Sequence, residues 1–236
     1  MKNIKKIFSF IQEYIFPIFC LQCKKEGSWL CDNCFITLEI DGYFACPVCG
    51  VQNRDGIVCC KKIFLSQHIA IATYKHKTII EQIIHLIKYQ YLDSLKKVIT
   101  KICIHFYISQ HVLFNDIDII TAIPLYKKRE AERGFNQAQL ICDSLSIVTA
   151  IPTMHTLKRC KKTKQQALLS LTERKKNLQG AFALIEDVQG KTVLLVDDVF
   201  TTGSTLEHAA EVLIMGGAKQ VIGFSLARGK MRNEGK

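Results

Sequence analysis

The segment from Val193 to Thr205, Val-Leu-Leu-Val-Asp-Asp-Val-Phe-Thr-Thr-Gly-Ser-Thr, restricts the fold more than any other part of the chain. Four apolar, partly β-branched residues end abruptly in two acids, the pattern of a strand buried on both faces of a parallel sheet. Asp197 and Asp198 are then expected at the strand's carboxyl end, where open α/β sheets bind their ligands. Thr201, Thr202, Gly203, Ser204 and Thr205 follow, and a helical pattern runs from Leu206 to Ile214. Such a loop offers backbone N–H and hydroxyl donors to a phosphate, with the positive end of the helix dipole behind them. Gly203 permits a positive φ or a close backbone approach. Two carboxylates above a phosphate loop suit a vicinal diol, because ionised oxygens accept hydroxyl protons. Diol above and phosphate below describe a ribose 5-phosphate. The competing reading is a doubly wound sheet with solvated acids and an ordinary Ser/Thr helix cap. A P-loop does not fit: Gly190-Lys191-Thr192 precedes the strand, and Ile185 stands at the first glycine position.

Strand and helix patterns alternate around this run. Ile69–Thr73, Asp118–Pro124 and Val221–Ala227 read as apolar strands, and Ala181–Leu184 reads as a short edge strand. Helical patterns cover Thr78–Tyr89, Ser94–His111 and Asn136–Leu145. Tyr126–Gly134 is expected to be a charged loop, and Leu157–Leu168 a mobile polar and basic one. Lys88 reads as a helix-end charge or a ligand, and the helix-end reading is favoured. Alternation of this kind predicts an α/β fold, a parallel sheet flanked by helices with right-handed crossovers.

The first sixty residues are different. Of eleven cysteines, eight fall between Cys20 and Cys60. Cys20-x-x-Cys23 and Cys31-x-x-Cys34 supply two tight turns whose thiolates complete a tetrahedral zinc shell, predicting a small N-terminal zinc ribbon. Cys46-x-x-Cys49 begins a second set, but its partners are Cys59 and Cys60. Adjacent cysteines ordinarily project in different directions, so a second zinc needs an irregular backbone there, or His68 as a substitute ligand. A structural role is expected for the metal, because so short a segment cannot build a core without it, and a nucleic-acid or partner contact is the alternative role for the ribbon. Cys103, Cys142 and Cys160 read as structural thiols.

These patterns divide the chain into an amphipathic helix over 1–19, a zinc ribbon over 20–62 that a second zinc would make double, an α/β domain over 66–230 and a polar, disordered tail over 231–236. Lys2, Lys5 and Lys6 before an apolar stretch imitate a secretory signal. Gln12 and Glu13 interrupt it, however, and Ile4, Phe8, Ile11, Ile15 and Ile18 keep helical spacing. No stretch is long enough for a membrane span, and a cytoplasmic protein is expected. The formal charge of +11 is concentrated at Lys127-Lys128-Arg129 with Arg133 and from Lys158 to Lys176, which suits pyrophosphate or nucleic acid.

Seen in order, these features include Ile87-Lys88-Tyr89, Ala122-Ile123-Pro124-Leu125, Arg133-Gly134-Phe135-Asn136-Gln137-Ala138, Thr163-x-Gln165-Gln166 and Arg174-x-x-Asn177-x-x-Gly180-Ala181-Phe182. Placed between the cysteine ribbon and the run at 193–205, they resemble the ComF family of bacterial competence proteins over nearly the whole chain. The run itself resembles the phosphoribosyl-pyrophosphate (PRPP) signature of type I phosphoribosyltransferases. The resemblance implies that fold, PRPP recognition by Asp197, Asp198 and Thr201–Thr205, and a role in handling transforming DNA. It also implies a pyrophosphate loop after Pro124 and a flexible loop at Leu157–Leu168. Double-ribbon relatives carry CxxC where this chain has Cys59-Cys60.

Pyrophosphate normally arrives with Mg²⁺, and Arg133, Lys162 or Lys164 are candidates to neutralise it. Two functions follow. One is a PRPP-binding protein acting on single-stranded DNA together with competence-machinery proteins. The other is an active phosphoribosyltransferase moving ribose 5-phosphate from PRPP to an acceptor. The chain ends a few polar residues after Arg228, so no C-terminal acceptor hood is expected, and the first function is favoured.

Overall fold

The computed structural model describes residues 17–61, 63–89, 93–161 and 180–229. Most of the expected helix over 1–19 lies outside these residues, as do the tail at 231–236 and the motifs at 163–166 and 174–177. Residues 17–19 are not helical; Phe19 instead bridges Glu26 in an antiparallel pair.

The sheet is built from strands β1 (Tyr43–Phe44), β2 (Gln67–Tyr74), β3 (Ile119–Ala122), β6 (Thr192–Phe200) and β7 (Gln220–Gly229), in the order β1-β2-β7-β6-β3. All neighbours are parallel except β1 against β2. The sheet is therefore mixed at one edge, where the cysteine-rich segment adds its own short strand. Strands β4 (Leu157–Arg159) and β5 (Phe182–Leu184) form a separate antiparallel pair. Helices are α1 (Asp32–Phe35), α2 (Ile79–Tyr89), α3 (Asp93–Gln110), α4 (Lys127–Arg133), α5 (Gln137–Thr149) and α6 (Ser204–Met215).

Alternation along β6 explains how both faces are covered. Leu194 and Val196 join Ile222, Phe224 and Leu226 under α2, α3 and α5. Val193 and Leu195 face the other way, with Val221, onto Leu206, Ala209, Ala210 and Leu213 of α6. A strand buried on both sides must read as a continuous apolar run, and this one does. Cys103 and Cys142 are fully buried in the first of these layers, where burial alone lifts the Cys103 thiol to about 12; they are packing groups. Cys160 is exposed.

Two expected loops contain regular structure. The charged stretch Tyr126–Gly134 holds α4, stopped by Gly134 in the left-handed conformation at φ 79°. Its exposed face left no apolar stripe to read. Leu157–Arg159 is strand β4, because Leu157, Lys158 and Arg159 pair with Leu184, Ala183 and Phe182. Such pairing across 25 residues leaves no local signature.

Candidate functional site

Strand β6 carries Asp197 and Asp198 but does not stop at them. It continues to Phe200, pairing Asp197 with Ser225, Val199 with Ala227 and Phe200 with Arg228 of β7. The acids thus lie within the strand's final turns of pleat rather than at its end. The chain then turns through Thr201–Gly203 into α6, with Gly203 at φ 73° as the helix N-cap. A Cβ at Gly203 would come within 2.6 Å of the Phe200 ring, so glycine is required both by φ and by space. Gly203 offers no side-chain cap to the helix, which leaves the cap to whatever sits above the loop. Thr202 Oγ1 and Ser204 Oγ lie 3.0 Å apart. A small pocket over this turn is lined by Asp197, Val199, Phe200, Thr201, Gly203, Ser204, Thr205 and Leu206.

The two acids have different surroundings. Asp198 Oδ2 pairs with Lys88 Nζ at 2.9 Å, with both side chains largely covered. Lys88 is therefore more than a helix-end charge, because α2 points it into the acid pair. Asp197 Oδ1 accepts from the Asp198 N–H at 2.9 Å, and Asp198 Oδ1 from the Val199 N–H at 2.8 Å. Burial, and then the neighbouring charge of Asp198, push the Asp197 carboxyl up to about 8. Arg159, on β4, lies close enough for the Asp197 charge to act on it, although burial lowers its own affinity for a proton. Ile87-Lys88-Tyr89 stands out in the sequence without naming Asp198 as its partner, and Arg159 carries no local signal for this pocket.

Of the cationic candidates, Arg133 ends α4 and donates to Gln137 Oε1 at 2.6 Å. Lys162 and Lys164 lie outside the described residues. Asn136 orients this region: it caps α5 by accepting from the Ala138 N–H and donates to the Ile123 carbonyl. The loop after Pro124 is thereby tied to the end of β3.

The cysteines converge into two sets of four, each with its sulfur atoms within 4.8 Å of one another. Cys20, Cys23, Cys31 and Cys34 form the first, and Cys46, Cys49, Cys59 and Cys60 the second. The Cys23–Cys31, Cys46–Cys60 and Cys49–Cys59 sulfur separations are 3.6, 3.7 and 3.5 Å. A tetrahedral zinc–thiolate shell has edges of about 3.8 Å, so both sets could hold zinc. Each first knuckle closes in the same way, Lys24 N–H onto Cys20 O and Gly50 N–H onto Cys46 O, with φ of 63° and 78° at the closing residues. Burial opposes ionisation of Cys20 and Cys46, but backbone N–H groups outweigh it and bring each thiol to about 6. Each set thus starts with one easily formed thiolate, which favours metal capture.

The adjacent pair Cys59-Cys60 does reach one point, because residues 58–61 run in no helix or strand. His68 is not a substitute ligand. It is buried in β2, bonds through Nε2 to Ser225 Oγ at 3.2 Å, and lies against Phe200 with ring centroids 4.0 Å apart. Burial, and then the nearby Arg228 charge, hold it neutral.

Sheet order, adjacent acids on β6 ahead of a hydroxyl-rich turn and an N-terminal cysteine module match a phosphoribosyltransferase-type α/β fold. The phosphoribosyl transferase domain family matches residues 132–235. The chain is 28% identical over 224 residues to the DNA utilization protein YhgH of Escherichia coli K12, covering 90% of this chain and 97% of that protein. It is 29% identical over 224 residues to the competence protein ComFC of Bacillus subtilis, covering 86% of each. Competence protein F of Haemophilus influenzae is 39% identical over 115 residues, 47% of this chain and 50% of that protein. The chain is therefore similar to ComF-family competence and DNA utilization proteins. No helix among the described residues is long and apolar enough to cross a membrane.

Proposed function

We propose that the chain binds PRPP, or a closely related ribose phosphate, with Mg²⁺ at Asp197, Asp198 and Thr201–Thr205, and handles single-stranded DNA in the cytoplasm during transformation. The observation that carries the ligand reading is the pocket itself. Asp197, with Asp198 next to it on β6, lines a pocket over a turn whose glycine cap leaves helix N–H groups for a phosphate. The acids accept the ribose hydroxyls, and Mg²⁺ would accompany the pyrophosphate, bridging hard oxygens there. Arg133, Lys162 and Lys164 serve the pyrophosphate end. Zinc in the two cysteine sets holds the ribbon over 20–62 against the α/β domain over 66–230.

The DNA role rests on the relatives' printed roles and on surface charge. Lys127 and Lys128 are exposed on α4, and Lys96, Lys97 and Lys101 line an open concavity on α3. Phosphate contacts of this kind make affinity fall steeply with salt. Single-stranded DNA binding is expected to weaken by about tenfold or more between 50 and 200 mM salt. A flat response, measured by fluorescence anisotropy, removes the basic faces from the proposal.

Catalysed transfer from PRPP is the second reading, favoured by Lys88 and Arg159 beside the acids, where developing charge would be met. The decisive binding experiment is thermal denaturation with Mg²⁺-PRPP. The ligand is expected to raise Tm, and Asp197→Ala with Asp198→Ala to abolish the rise. A rise preserved in the double variant refutes the site. PRPP turnover with and without single-stranded DNA then separates enzyme from binder.

A further inference from the structure

Phe200 ends β6 immediately before the hydroxyl-rich turn, and its ring has two close supports. The guanidinium of Arg228, its β7 register partner, lies 4.6 Å from the ring centre. The ring of His68 lies 4.0 Å away, centre to centre. The ring's edge in turn bounds Gly203, where no Cβ fits. A displacement of Phe200 is therefore transmitted to the turn that would hold phosphate.

Both supports of Phe200 lead to the second cysteine set. Arg228 is fully buried and donates to the main-chain carbonyls of Ala45 and Cys46, the latter at 2.7 Å. That Cys46 carbonyl also closes its own knuckle by accepting the Gly50 N–H. His68 donates its backbone N–H to Gly56 O at 3.0 Å, in the segment between Cys49 and Cys59. The segment after Cys60 is gripped as well: Glu207, in the first turn of α6, accepts the Phe64 and Leu65 N–H groups at 2.9 and 3.2 Å. No comparable link joins the first cysteine set to this turn among the described residues.

We infer that Arg228 is a positioning residue that couples metal held by Cys46, Cys49, Cys59 and Cys60 to the phosphate-binding turn, so that ligand and metal each tighten the other's hold. The inference rests on the ribose-phosphate reading above. Coupling between two sites is reciprocal, so it is measurable from the metal side without any enzymatic activity. Metal loss releases the Cys46 knuckle, Arg228 loses the fixed carbonyls that orient its guanidinium, and Phe200 loses one support. Ligand at the turn works in the opposite direction.

The test uses the full chain loaded with two equivalents of zinc. Zinc release into a colorimetric chelator is followed with and without Mg²⁺-PRPP, and Cys59→Ser identifies the phase belonging to the second set. Saturating Mg²⁺-PRPP is expected to slow that phase by about fivefold or more and to leave the other phase unchanged. Arg228→Lys keeps the charge but not the two-pronged donor. It is expected to remove the slowing while ligand still raises Tm. Should Arg228→Lys not fold, Glu207→Ala, which cuts the separate grip on residues 64–65, is expected to reduce the slowing.

Ligand that raises Tm without slowing the second phase overturns the coupling and leaves the site intact. Equal slowing of both phases, or equal slowing in wild type and Arg228→Lys, also overturns it. Absence of any Tm rise defeats the ligand reading, and the coupling with it.

Discussion

The two cysteine sets have the same ligands and different neighbours. Around the first, Cys20, Cys34, Leu30 and Phe35 enter the main apolar layer, and Trp29 donates to Ser94 Oγ at the start of α3. Phe35 meets His105 edge-on, 5.7 Å between ring centres. This set anchors the N-terminal module to a helix. The second set meets β7, β2 and the first turn of α6 through Arg228, His68 and Glu207. The same tetrahedral chemistry would therefore serve as an anchor in one place and, in the other, as a support behind Phe200, which lines the candidate pocket. What a structural metal does is decided by the carbonyls and rings around its ligands as much as by the ligands themselves.

Serine substitutions should separate the two roles most sharply. Cys34→Ser strikes a buried ligand whose neighbours belong to the main core. It is expected to cost one equivalent of zinc and several kcal/mol, lowering Tm by about 10 °C, because structural zinc contributes folding energy directly. The Mg²⁺-PRPP shift should survive wherever the variant is folded. Cys59→Ser, at an exposed ligand, should also cost one equivalent but lower Tm less and shrink the ligand shift. Metal analysis and calorimetry check both. Equal effects on the ligand shift break the comparison.

A smaller effect lies at the far end of the second set's chain of contacts, at Asp197, which lines the same pocket as Phe200. With its carboxyl at about 8 in the folded protein against an ordinary 3.8, the folded state holds a proton that the unfolded chain has lost. The resulting stabilisation is complete below about pH 4 and is lost as pH rises towards 8. Asp197 therefore takes stability away from pH 6 to pH 8, read as the difference between unliganded wild type and Asp197→Asn: the variant should gain on wild type across this range and be the more stable at pH 8. Ligand binding needs the ionised form, so affinity should rise with pH up to about 8 in wild type and not in Asp197→Asn. Denaturant melts and titration calorimetry at the two values measure both. A stability difference between the two proteins that stays constant from pH 6 to pH 8 would mean that Asp197 is ionised without ligand.

How far the sequence disclosed this arrangement depends on the range of the interactions. The strand, the acids, the turn and the positive φ of Gly203 were all legible, because they are contiguous and each has a local steric or periodic cause. The first cysteine set was legible for the same reason. Lys88, Arg159 and Arg228 were not recognised as neighbours of this region. Lys88 reaches Asp198 from 110 positions away, and Arg228 reaches Cys46 from 182. Nothing beside these residues in the chain marks such contacts. The convergence of Cys59 and Cys60 was doubtful in sequence because it depends on an irregular backbone fixed from outside, by the Val58–Ser66 and His68–Gly56 hydrogen bonds. Strand β4 and helix α4 look like loops in the sequence for related reasons: one is defined by a distant partner, the other has no apolar stripe.

The smallest effect tests the anchor side. Lys101 of α3 contacts Asp32 of α1 and lies 4.3 Å from the centre of the Phe35 ring. Both charged groups are open to solvent, with side-chain exposures of 42% and 92%. Ion pairs exposed to this degree contribute little, and salt screens what they do contribute. Lys101→Ala should therefore change Tm barely detectably, lose even that difference in high salt, and leave zinc content and the Mg²⁺-PRPP shift as in wild type. The first set is held from below by apolar packing, which Lys101 merely borders. Loss of zinc in Lys101→Ala would mean that a single polar contact governs the first set as Arg228 is argued to govern the second, and the contrast between anchor and pocket support would disappear.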